Sequence, residues 1–251
     1  MNRPFVCLIL CFICVAANAQ TTYQHNSPEW LVYQFFSASS FPDKSIFFID
    51  EMIKQINYPS IGEELRGEGT SKLKEIQRSN DEAVFSINIS MHNDQKDFYC
   101  YMKNQNGWKI SAIRTFIIPA YYNQLADSIL SDAGLPDSTK SIAHSIRLLA
   151  GDDENLKNHL KLNFNVFKRL LDLFRNEANN EIHKMLQQLY LSSVYKPDQL
   201  IDCFFFTILE VNYLEAGYIY CNDKLRLPKI SPDSFIIIEE VVKDWYLYRK
   251  N

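Results

Sequence analysis

Glycine is scarce in this chain: seven in 251 residues, three of them between positions 62 and 69. The sequence holds no phosphate-binding Gly-x-x-x-x-Gly-Lys loop and no dinucleotide fingerprint. It also lacks a Gly-x-Ser-x-Gly elbow and a His-Glu-x-x-His zinc helix. Basic blocks are missing too. Lys and Arg number 26 against 30 Asp and Glu, a formal charge of −4, which argues against nucleic acid as a partner. After residue 19 no apolar run reaches the roughly 20 residues of a membrane-spanning helix. The histidines form no local ligand pair. Asp152-Asp153-Glu154 are consecutive rather than spaced as in a calcium loop. No metal site and no cofactor is predicted.

What is present begins with an export signal. Arg3 is the only charge in the first nineteen residues, and every residue from 5 to 15 is apolar. Ala17-Asn18-Ala19 supplies small residues at the cut, so cleavage is expected between Ala19 and Gln20. The ending resembles that of bacterial envelope exports, which implies a periplasmic or secreted protein. Cleavage removes Arg3 and no acid, leaving 25 basic residues (26 less Arg3) against 30 acidic ones, a charge of −5. It also leaves three cysteines, Cys100, Cys203 and Cys221, too few for a disulfide-built scaffold.

The rest reads as α+β in two parts, 23–118 and 119–251. Ser27-Pro28-Glu29 is a helix start, with a capping hydroxyl, proline at the first position and an acid in the first turn. Ile46, Ile49, Ile53 and Ile56 recur at helical spacing and predict a second amphipathic helix. Residues 57–71 are expected to be loop. The period then becomes two: a weak strand at 73–77, then strands around 85–91, 98–102 and 108–112. The short turns between them require antiparallel pairing. Residues 120–195 are predicted to be helical. Asp152-Asp153-Glu154 opens a single long stripe that runs to Phe174, the acids being favoured by the helix dipole. From residue 202 an aromatic meander follows, with strands near 202–209, 217–221, 235–239 and 245–248.

Helices followed by a meander that ends in Gly107-Trp108-Lys109-Ile110 resemble the NTF2-like (cystatin-like) superfamily over residues 27–118. The resemblance implies helices packed on a curved antiparallel sheet around a conical cavity. Trp108 is expected to pack against the first helix. A ligand in such a cavity would meet residues of the type of Tyr33, Asp50, Tyr99, Tyr101 and Arg114, and no catalytic residue can be assigned among them. The terminal half resembles other small bacterial exports and implies no activity.

One pairing can be worked out from the spacing. If 202–209 and 217–221 form a hairpin turning near Asn212, residues whose numbers sum to 424 face each other. Cys203 then lies opposite Cys221, Phe205 opposite Ile219 and Phe206 opposite Tyr218. Opposed cysteines have the reach for a disulfide; a two-residue slip would instead leave two buried thiols. The leading functional expectation is an exported, non-enzymatic binding or interaction protein that takes a small molecule or an envelope protein. The alternatives are a cavity enzyme of the isomerase or dehydratase type and a structural envelope subunit.

Overall fold

A computed structural model describes residues 23–66, 68–91, 94–177, 179–200 and 202–251. The signal segment and its Ala19–Gln20 cleavage site lie outside the described residues. The fold is α+β, built on two antiparallel sheets of four and five strands.

Helix α1 (Pro28–Phe36) begins as its sequence dictates. The Ser27 hydroxyl accepts the Trp30 amide at 3.1 Å, and Pro28 fills the first turn. Leu31, Val32, Phe35 and Phe36 are buried. The second amphipathic helix does not form. In its place are a four-residue helix, α2 (Lys44–Phe47), and a 3-10 turn (Asp50–Gln55). Between them Phe48 is extended and bridges Ile110, while the Ile49 amide donates to the Ile110 carbonyl at 3.1 Å. The sheet edge captures this backbone, so the phase of the isoleucines is lost. Ile46 and Ile53 are 58% and 54% exposed, and Phe48 and Met52 are buried instead. The expected loop at 57–71 contains α3 (Ile61–Leu65), started by a Ser60–Glu63 capping box.

Strands β1 (Thr70–Arg78), β2 (Glu82–Met91), β3 (Asp94–Asn104) and β4 (Trp108–Thr115) pair in that order. Strand alternation divides their side chains between two faces. Phe85, Ile87, Ile89, Cys100, Met102 and Ile110 form one core with α1, against which Trp108 is half-buried. Val84, Tyr99, Tyr101 and Ala112 occupy the opposite face and meet Ile236 and Ile237 of the second sheet.

Helices α4 (Ala120–Ser131), α5 (Asp137–Ala150), α6 (Asp153–Leu162), α7 (Phe164–Arg175) and α8 (Asn179–Gln188) follow. The stripe expected to be one long helix is two, α6 and α7, divided at Asn163. The Asn163 side chain donates to the His159 carbonyl, satisfying it where the first helix stops. The second sheet runs in the order β5 (Ser193–Tyr195), β6 (Cys203–Val211), β7 (Leu214–Cys221), β9 (Trp245–Lys250), β8 (Phe235–Val242). Strand β5 lies where helix was expected. One face of this sheet packs Phe206, Tyr218, Trp245 and Leu247 against Leu156, Leu160, Phe167 and Leu170. The other buries Phe205, Ile219, Ile238 and Tyr248 beneath the segment that carries Leu227 and Ile230. Among the described residues no helix is long and apolar enough to cross a membrane.

Candidate functional site

The residues named for a ligand cavity are not gathered in one place. The space between α1 and the first sheet is occupied by aromatic side chains, with the Phe48 ring against those of Phe35 and Phe41. Tyr33 is half-buried on α1, its ring 5.8 Å from that of Tyr23. Tyr99 and Tyr101 point away from α1, because both occupy the second face of β3. Tyr99 is fully buried, and its hydroxyl donates to Asp153 Oδ1 at 2.9 Å.

Asp50, Tyr101 and Arg114 do come together. They line a cleft of about 410 Å³ between the second face of the first sheet and residues 229–233, which cross it. Tyr101 comes from β3, Arg114 from β4, and Asp50 from the first position of the 3-10 turn. Val84 and Ala112 give the cleft an apolar floor. Its walls carry the carboxylates of Asp50, Glu51, Glu82 and Asp233 and the cations of Lys103, Arg114 and Lys229.

Each of these cations holds an acid. Lys103 pairs with Asp50 at 2.7 Å and Lys229 with Glu82 at 3.0 Å. Arg114 pairs with Glu51 and, at 3.4 Å, with Asp233, while its Nε donates to the Pro232 carbonyl at 2.9 Å. The bond to Asp50 raises the Lys103 pKa. The Tyr101 hydroxyl donates to the Ile236 carbonyl at 2.5 Å, and burial pushes its pKa above the ordinary tyrosine range. The phenol therefore stays protonated, with its proton committed to the main chain. The cleft offers paired charges of both signs over an apolar floor. Sequence reading missed Lys229 and Asp233, because they lie in the connection to β8 and meet the first sheet only through the tertiary fold.

Two further groups sit apart from this cleft. Cys203 and Cys221 face each other across β6 and β7, with Phe205 opposite Ile219 and Phe206 opposite Tyr218. The cysteine amides donate elsewhere, to Leu200 and Asp244, as in a non-hydrogen-bonded pair. Their Cα atoms are 4.4 Å apart and their sulfurs are joined. Of the acid run, Asp152 caps α6 by accepting the Asn155 amide at 2.7 Å. Asp153 is buried against Arg249 of β9. Among the described residues no three His, Cys, Asp or Glu side chains gather closely enough to hold a metal ion.

No protein-family model matches the chain, and no curated protein matches its sequence.

Proposed function

We propose that this is an exported, non-enzymatic binding protein whose ligand site is the cleft lined by Asp50, Tyr101 and Arg114. The export signal at residues 1–19 supports the compartment. The observation that carries the binding reading is the cleft itself: about 410 Å³, apolar at its floor and ringed by charges of both signs. Such walls suit a small zwitterion, such as an amino acid or a short peptide, which can exchange into the ion pairs without leaving a charge unpartnered. The NTF2-like reading of residues 27–118 is part of the proposal. It is supported by α1–α3 lying with an antiparallel meander whose last strand begins at Trp108. The enzyme alternative is less favoured, because it needs open space between α1 and the sheet, where aromatic rings stand.

The test is a titration of the mature protein with the common amino acids and a set of dipeptides, followed by amide chemical shifts. Binding at the cleft should move the resonances of Lys103, Ala112 and Ile230. Arg114→Ala and Lys103→Ala should each weaken it about tenfold, as expected for loss of a charge-assisted hydrogen bond. If no member of the panel perturbs these residues, the reading is wrong.

A further inference from the structure

Two carboxylates meet where the halves of the chain join. Asp97 of β3 accepts the main-chain amide of Asp153 on Oδ2 at 2.7 Å and the Asn88 side-chain amide on Oδ1 at 2.8 Å. Asp153, in the first turn of α6, receives the Tyr99 hydroxyl at 2.9 Å and Arg249 Nε at 2.8 Å, both on Oδ1. Its Oδ2 is buried and has no hydrogen-bond partner. Among the described residues, Arg249 is the cation in direct contact with the pair. Its remaining nitrogens donate to the Leu149 and Gly151 carbonyls, at 3.4 and 2.7 Å.

The cluster thus holds two acids against one base, Asp153 and Arg249 buried and Asp97 half-buried, with an acceptor left over. Two carboxylates this close cannot both ionise without cost. A cleft lined by Asp97, Asp94, Lys96, Asp152 and Arg249 opens beside it, so protons have a path in.

We propose that Asp97 is a proton-binding site and that the contact between the two halves is an acid-strengthened clasp. On acidification Asp97 takes up one proton from solvent. The repulsion between the two acids then ends. Burial, then the Asp153 charge, raises the Asp97 pKa, against the opposing pull of Asn88, the Asp153 amide and Arg249.

The sign follows from linkage. A carboxyl whose pKa is higher in the folded than in the unfolded chain adds stability at low pH. That stability is lost as pH rises from the ordinary aspartate value to the raised one.

The experiment uses the intact mature protein. Side-chain carboxyl resonances, followed by carbon-13 NMR from pH 7 to pH 3, should show Asp97 titrating above the other aspartates. In urea titrations Asp97→Asn should be at least as stable as wild type at pH 7. Wild type should gain on the variant as pH falls toward 4, because the amide mimics the protonated acid. An Asp97 resonance that titrates within or below the ordinary aspartate range overturns the proposal, and needs no variant to be read. So does an Asp97→Asn variant that is destabilised by the same amount at every pH, which is the result expected of a plain cap on α6.

Discussion

Arg249 and Asp153 stand 96 residues apart in the chain and form an ion pair at 2.8 Å that is almost wholly withdrawn from water. The guanidinium also lies 4.5 Å over the Phe116 ring, so its flat face is used as well as its edge. Removing one partner from such a pair leaves a buried charge with nothing to oppose it. Arg249→Met should cost about 3–5 kcal/mol in urea denaturation. Adding Asp153→Asn should recover much of that loss. Both variants lying within about 1 kcal/mol of wild type would mean that the pair is solvated in solution.

His159 makes stability depend on pH in a second window. Tyr218 donates its hydroxyl proton to the Leu156 carbonyl, so it can only accept from His159 Nδ1 at 2.9 Å. The imidazole is then the neutral Nδ1–H tautomer, with Nε2 buried and unpartnered. Burial lowers its pKa to about 4. Protonation favours the unfolded chain, so stability is complete above about pH 6.5 and falls as pH drops toward 4, by about 3 kcal/mol at most. His159→Leu should flatten this part of the pH profile. An unchanged slope between pH 6.5 and 4 in the variant would locate the dependence elsewhere.

The Cys203–Cys221 link closes a sequence separation of 18 residues. Loop-closure entropy puts its worth at about 3 kcal/mol. Alkylation of the unfolded, non-reduced mature protein should mark Cys100 alone, and Cys203→Ser with Cys221→Ser should lower the urea midpoint. Three alkylated cysteines would show that the bond does not form.

Gly217 lies in β7, opposite Thr207 of β6 and Tyr248 of β9. A Cβ at this position would stand 2.2 Å from the Phe206 carbonyl oxygen and 3.0 Å from the Tyr248 ring. The neighbour is backbone and cannot step aside cheaply. Gly217→Ala should therefore destabilise by about 1–3 kcal/mol. A thermal unfolding midpoint equal to wild type would show that the strands can part there.

Much of the strand geometry was legible, because period-two patterns and turn residues act locally. The β6–β7 register followed from one assumed turn, and Asn212 and Tyr213 do supply the two left-handed residues of a tight hairpin. That register holds to Thr207, beyond which a bulge shifts it by one. The Ser60–Glu63 box was also readable from spacing and was passed over, because glycines and Pro59 suggested loop.

What could not be read depends on distant partners. The isoleucines at 46–56 have helical spacing, but Ile110 pulls the chain between them into an extended bridge. Asp153 was read correctly as belonging to a helix start. Its burial depends on Arg249, Tyr99 and Asp97, which no local pattern connects to it. Of the five ligand candidates, Asp50, Tyr101 and Arg114 meet in one cleft, and only the crossing of residues 229–233 brings that cleft into being.

The bond from the Tyr101 hydroxyl to the Ile236 carbonyl joins residues 135 positions apart, across the boundary between the two halves of the chain. With Tyr99–Asp153, Arg114–Pro232 and the Ile236–Ile237 contact, it makes that boundary a seam rather than a hinge. A protease that nicks the exposed turn at 132–134 would therefore release nothing. The two fragments should travel together through gel filtration and separate only in denaturant.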